Sequence, residues 1–291
     1  MEPRKEEIIA VLKKAQNASL EQKYQEALES YLWVEKHIQD DPDNLPYVWM
    51  EIGWAFYALN NFKKTIEFLE KSLNAPQLVP RQIVDCMRII GFSYQQLGNT
   101  QKAIAYLQDA LLQNVDKIDL RHIYFELGKI LFGLNTPGKA KPYLEKAQEL
   151  FGSDEGDYLQ TTKYYLGFIA FLEGDHSTAD KIFKSYIKNA PGKKHQAPGY
   201  FGIAHIHLKN EAYEKLIETC QKIIDLDKDF DDKETLAFFL SKGYMELKMW
   251  KQLEIFLPQL IESYPKGRYQ SAYPQFRQAL KNADSAKRNP N

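Results

Sequence analysis

The sequence predicts an all-α protein built from about seven helix-turn-helix units in tandem, closed by one further helix near its end. Three observations predict it. Apolar residues recur at helical spacing along nearly the whole chain, in pairs of amphipathic stretches. Each pair is interrupted by a short polar turn. A small residue recurs in the first stretch of each pair, at Ala15, Gly53, Gly91, Gly128, Gly167, Gly202 and Ser241, every 35–39 residues. In that slot a large side chain would hold the two helices of a pair apart, so the spacing marks seven helix crossings.

The clearest unit runs from Trp49 to Pro76. Trp49, Ile52, Gly53 and Phe56 share one face of a first helix, Asn60-Asn61 breaks the pattern, and Phe62, Thr65, Ile66, Leu69, Ser72 and Leu73 stripe a second helix that Pro76 ends. The order W-x2-I-G-x2-F, then small, large and Pro, resembles the tetratricopeptide repeat. Thr65 and Ser72 stand where that family usually has Ala, and Leu69 where it usually has Phe. The resemblance implies a right-handed superhelical solenoid in which neighbouring repeats supply one another's core.

The other units follow in order. The first is a degraded copy, with Ile8, Val11, Leu12 and Ala15 facing Tyr24, Ala27, Tyr31 and Val34, as befits a terminal repeat. The third carries Ile90-Gly91, Tyr94, Ala103, Leu107 and Ala110. The fourth carries Leu127-Gly128, Ala140, Leu144 and Ala147, and Pro142 within its second helix implies a kink or a helix starting near Pro137. The fifth has Leu166-Gly167, Ala170, Ala179 and Phe183. In the sixth, Phe201-Gly202 and His205 fit the first helix, and aligning Leu216 and Cys220 requires two extra residues in the turn. The seventh has Leu240-Ser241, Tyr244, Leu253, Leu257 and Leu260, with Pro258 inside. These readings place repeats near 6–39, 46–76, 81–114, 119–151, 157–191, 196–226 and 233–265, all within a solenoid domain spanning 1–267. Residues 268–291 are left as a capping helix, near Pro274 to Ala283, and a disordered tail.

Composition suits a globular chain: hydrophobic residues are 44%, charged residues 26%, and formal net charge is −1 over 291 residues. That balance offers no electrostatic attraction to nucleic acid or to an acidic membrane surface. No apolar run reaches the roughly 20 residues of a membrane span, and the start lacks the pattern of a secretory signal. The expectations are cytoplasmic localisation, no nucleic acid and no direct membrane insertion. Cys86 and Cys220 read as two buried small hydrophobes.

Catalytic and metal motifs are absent from this reading. His205 and His207 diverge on a helix, so they form no joint metal site. The acidic run from Asp225 to Glu234 lacks the glycine and the final Glu of a calcium loop, and reads as a connection whose carboxylates cap the next helix. Gly128, Gly133 and Gly138 make no phosphate loop. No metal, no cofactor and no enzyme activity are expected.

What the resemblance implies about binding is more specific, because in that family the first helices of successive repeats line the concave surface. The residues beside the packing stripe are Tyr47, Met50, Trp54 and Tyr57, then Arg88 and Phe92, then Phe125, Lys129 and Phe132. They continue with Tyr164, Phe168 and Phe171, then Tyr200, and finally Phe238 and Lys242. This aromatic band reads as a groove for a peptide or helix of a partner, with part of it, Phe92 and Phe168 especially, packing first helix on first helix; it could also hold a second copy of the chain. The function implied is a non-catalytic protein-protein interaction scaffold or adaptor. The alternatives are the repeat region of a larger multidomain enzyme or complex, or a helical-repeat nucleic-acid binder. The acidic C-terminal tails of heat-shock chaperones are not expected ligands. Where that clamp has Lys, Asn and Arg, this chain has Leu12 and Gln16, Glu51, Asp85 and Ile89, or one repeat later Met50 and Trp54, Ile89, His122 and Glu126.

Overall fold

Helical hairpins account for almost all of the computed structural model, which describes residues 5–152 and 155–288. Among the described residues there are fifteen α-helices and no strand. The chain divides into two compact units, Met1–Phe151 and Gly152–Asn291. The first holds four hairpins: α1 (Lys5–Leu20) with α2 (Tyr24–His37), α3 (Leu45–Ala58) with α4 (Phe62–Leu73), α5 (Pro80–Gln96) with α6 (Thr100–Leu111), and α7 (Arg121–Gly133) with α8 (Pro137–Leu150). The second holds three, α9 (Gly156–Leu172) with α10 (His176–Lys188), α11 (Ala197–Lys209) with α12 (Tyr213–Leu226) and α13 (Lys233–Glu246) with α14 (Trp250–Ser263), followed by α15 (Tyr273–Arg288).

The seven hairpin turns are built alike. Each spans three residues, and the middle one, Gln22, Asn60, Gly98, Asn135, Gly174, Glu211 or Lys248, has φ between 55° and 85°. In every turn the next N–H reaches back to the carbonyl five residues earlier, as in Asn99 to Tyr94 at 2.8 Å and Ala212 to His207 at 2.9 Å. This is the helix stop that satisfies orphan carbonyls. Gly98 and Gly174 adopt it freely, whereas Gln22, Glu211 and Lys248 carry a Cβ penalty of roughly 1–2 kcal/mol. Asn61, Asn99 and Asp175 then cap α4, α6 and α10, each accepting a backbone N–H.

Seven positions before each left-handed residue stands a buried small one: Ala15, Gly53, Gly91, Gly128, Gly167, Ala204 and Ser241. The partner sixteen positions later fills the space opposite. A Cβ on Gly53 would lie 2.6 Å from Leu69, and one on Gly128 2.5 Å from Leu144, far inside contact distance. This register corrects the sixth repeat. Its turn contains no extra residues, and the crossing residue is Ala204, which places Leu216 and Cys220 at 0% exposure. Gly202 has a different job: it makes room for the Phe183 ring of the preceding hairpin, which Gly167 also faces at 2.6 Å. Phe183 is thus clasped by glycines from two repeats.

Both interior prolines are accommodated. α8 starts at Pro137 and continues through Pro142, and α14 continues through Pro258. The acidic connection behaves as read, since Asp232 accepts the Thr235 N–H and caps α13. The C-terminal helix is longer than expected. α15 extends to Arg288, through most of the tail expected to be disordered, and residues 289–291 lie outside the described ones.

Candidate ligand-binding face

The face that could meet a ligand is made by the first helix of each hairpin, and the two units use it differently. In unit 1, Glu51 and Trp54 of α3, and Asp85, Arg88 and Phe92 of α5, share it. Trp54 is 37% exposed, the one aromatic of the expected groove that stands out as a large exposed apolar side chain. The Arg88 guanidinium lies 5.9 Å from its ring centroid and 5.8 Å from that of Phe92. Asp85 holds the same guanidinium at 3.1 Å. A cation fixed between a carboxylate and two rings offers a planar, partly desolvated surface. Beside it, Arg81, Asp85, Arg88, Asp119 and His122 line a polar notch between α5 and α7, with Arg81 and Asp119 3.7 Å apart.

Other expected groove residues of unit 1 are turned to internal work. Phe125 is 5% exposed and stands edge-on to Phe151 at 6.0 Å, so it is core rather than groove. Lys129 pairs with Glu126 at 2.6 Å and covers the Phe125 ring. Tyr47 donates its hydroxyl to the Gln77 carbonyl at 3.0 Å and, with Met50 and Tyr57, packs against Leu78, Cys86 and Ile89. Phe132 is half-buried.

In unit 2 the band closes on itself. Phe168 packs edge-to-face on Phe183 at 5.1 Å and on His205 at 5.2 Å, and Phe171 flanks the same histidine at 5.9 Å. Phe201 and Phe239 complete a four-phenylalanine cage around His205, whose Nδ1 lies 2.9 Å from the Phe201 carbonyl oxygen. Burial holds this imidazole below its ordinary pKa, the backbone contact and Asp232 opposing only in part. Tyr164 joins the cluster through Phe168 at 4.9 Å, and burial raises its phenol. Tyr200 lies under Lys222 at 4.3 Å. Phe238 is covered by Tyr269, the two rings 4.1 Å apart and nearly parallel at 5°. Lys242 pairs with Glu246 at 2.6 Å. Phe168, Phe171 and Phe238, expected along the groove, are thus half-buried and engaged with other rings, Phe168 in the helix-on-helix packing expected of it.

One residue of this face was read in the sequence only as a like charge to acidic chaperone tails. Glu51 lies between Tyr47 and Trp54 on α3, and accepts the Tyr31 hydroxyl at 3.2 Å. Desolvation raises its carboxyl pKa, offset in part by that hydrogen bond, and pushes the Tyr31 phenol up to about 12. Its i+3 relation to Trp54 was the available signal. Cys86 and Cys220 are both fully buried, and desolvation lifts each thiol to about 12, which removes nucleophilic character. Among the described residues no helix is long and apolar enough to cross a membrane.

Repeated hairpins crossing on a small residue, each folded over the same left-handed turn, define a helical-repeat protein. Four of the hairpins are tetratricopeptide repeats: models of that description match residues 85–114, 122–154, 162–192 and 197–230. The response regulator aspartate phosphatase E of Bacillus subtilis is 25% identical over 177 residues, covering 57% of this chain and 47% of the relative. The chain thus spans about half the length of that protein. Among solved structures, the apo form of the quorum sensor NprR from B. thuringiensis superposes with a TM-score of 0.62 at 15% identity, covering 88% of this chain and 76% of that one. The apo form of RapI gives 0.59 at 14% identity, covering 89% and 75%. YrrB, described as a tetratricopeptide repeat protein with an unusual peptide-binding site, gives 0.56 at 21% identity, covering 71% and 96%. At these identities the likeness is one of fold, that of all-helical repeat proteins.

Proposed function

We propose that this protein is a non-catalytic, cytoplasmic regulatory adaptor that takes a peptide or helical segment of a partner on the first-helix face of unit 1. The observation that carries the reading is Trp54, an exposed aromatic backed by the Arg88–Asp85 pair. Interface hot spots concentrate in tryptophan and arginine, and here the Arg88 guanidinium lies over the Trp54 ring while Asp85 holds it. The matches to a quorum sensor and to a repeat protein with a peptide-binding site support it. Acidic chaperone tails fit poorly, since Glu51 and Asp85 would face their carboxylates.

The test is affinity purification from the native source, followed by calorimetric titration of the co-purifying partner with wild type and with Trp54→Ala. A loss of tenfold or more, about 1.4 kcal/mol, with an unchanged thermal midpoint is the expected result. Equal affinities would remove Trp54 from the interface and the reading with it. The match to an aspartate phosphatase favours a second reading, in which the chain acts on a phosphorylated response regulator. Incubation with an aspartyl-phosphorylated receiver domain decides it: a shortened phosphoryl lifetime would make this protein an enzyme.

A further inference from the structure

A second feature of unit 1 lies beyond the Trp54 platform. α1, the end of α2, the connection after it and α3 line an open cavity of about 680 Å³. Such a volume falls in the range of ligand sites, which run from about 300 to 1,000 Å³. Its walls are aliphatic, from Ile8, Ile9 and Leu12 on one side and Val48 with the Tyr47 ring on the other. Ile9 is 43% exposed, so an apolar wall faces water.

The charged groups at this cavity are unequal. Among the described residues Lys5 is its only lysine or arginine, against Asp40, Asp41 and Glu51. Asp41 is engaged in capping, accepting the Asn44 backbone N–H at 3.1 Å and its side-chain amide at 2.8 Å. The His37 ring lies tilted against Trp33, the centroids 4.1 Å apart, with Nδ1 2.7 Å from the Trp33 carbonyl oxygen. Glu51 differs from these. It is half-buried at the cavity's inner edge, and among the described residues its one hydrogen bond comes from Tyr31. A carboxylate so desolvated, with a single neutral donor, is disfavoured when ionised, and an added cation would remove that penalty.

We propose that this cavity is a subsite for a lysine or arginine side chain of the partner segment, its methylene stem on Leu12, Tyr47 and Val48 and its cationic head on Glu51. Both long basic side chains combine an apolar stem with a charged tip, the two chemistries the cavity presents. The inference rests on the reading that unit 1 takes a peptide, and adds to it which residue that peptide must carry. It also supplies a selection against acidic segments, because a carboxylate entering here would meet Glu51.

The probes are three capped tripeptides, acetyl-Ile-Lys-Ile-amide and its analogues with norleucine or Glu at the centre, titrated into the isotope-labelled full chain by NMR. The lysine peptide is expected to shift amides of α1 and α3 with millimolar affinity, at least fivefold tighter than the norleucine peptide, while the glutamate peptide leaves them unmoved. Glu51→Gln, which retains a partner for Tyr31, should erase the lysine preference while keeping the thermal midpoint. Because the peptide comparison on wild type needs no variant, a misfolded variant does not spoil the test. Equal binding of the lysine and norleucine peptides overturns the cation subsite, as does the absence of shifts in α1 and α3. Spermidine binding as tightly as the lysine peptide would assign the site to a free polyamine and overturn the peptide assignment. None of these failures touches the Trp54 platform, whose own failure is read from the partner titration.

Discussion

The first-helix faces of the two units start from the same sequence device and end differently. In each, aromatic residues sit one helical step beside the packing stripe. In unit 1 the stripe leaves Trp54 open, propped by Arg88, with Glu51 and an apolar cavity nearby. In unit 2 the rings turn on one another: Phe168, Phe171, Phe201 and Phe239 enclose His205, and Tyr269 lies flat on Phe238. An aromatic stripe therefore does not by itself mark a ligand surface. What decides is whether the neighbouring hairpin supplies a ring to close it. α5 offers Arg88 and Asp85 opposite Trp54, whereas α11 offers Phe201 and His205 opposite Phe168.

The largest effects should fall on what the two units share, the helix crossings. Gly128→Leu in unit 1 is expected to destabilise by about 3 kcal/mol through overpacking against Leu144. Lys139→Ala, on the exposed side of α8, should stay within about 0.5 kcal/mol, and equal thermal midpoints for the two would refute the crossing. In unit 2 Gly202→Ala should cost about 1–3 kcal/mol through the Phe183 ring. Adding Phe183→Leu should recover part of that loss, measured as non-additivity in urea unfolding.

The second comparison sets the two aromatic bands against each other. Phe168→Ala should cost roughly 2–4 kcal/mol, and Trp54→Ala less than about 0.5 kcal/mol. Comparable losses in denaturant titrations would mean that unit 1 is as closed as unit 2. Tyr269→Ala is expected to cost about 1 kcal/mol. It removes the stacked ring over Phe238 and the hydroxyl contact of 3.0 Å to Thr235.

The smallest effect is in pH, and its sign differs between the units. His205 has a pKa lowered from 6.5, so the unfolded chain binds the extra proton. Its contribution is present above pH 6.5 and is lost as pH falls through the folded value. Glu51 has a pKa raised from 4.5, so its contribution is present below pH 4.5 and is lost as pH rises through the folded value. His205→Phe should flatten the fall in stability that begins as pH drops below 6.5, whereas Glu51→Gln should remove the opposite fall that begins as pH rises above 4.5, and hold or raise the thermal midpoint at neutral pH. The reverse assignment in melting curves taken from pH 4 to 8 would overturn both.

The repeat number and the helical period were fixed by local sequence, because an amphipathic stripe and a small crossing residue need only near neighbours to be recognised. Gly53, Gly91, Gly128 and Gly167 could be read directly, each with its partner sixteen residues on. The sixth crossing could not, because two small residues, Gly202 and Ala204, compete for one slot. Only the packing of Phe183 against Gly202 separates them. The ligand face was legible as a list of aromatics but not as a surface. Tyr47, Phe125 and Phe168 obey the same helical spacing as Trp54, and nothing in that spacing tells which ring a distant hairpin will cover. Glu51 could be read only as a like charge to acidic tails, for the same reason. A charged residue beside a packing stripe is ordinarily solvated, and its burial beside Tyr31 exists only once α2 lies against α3. Period and turn are set by interactions within one hairpin, while exposure is set by the next one, and so only the folded structure decides it.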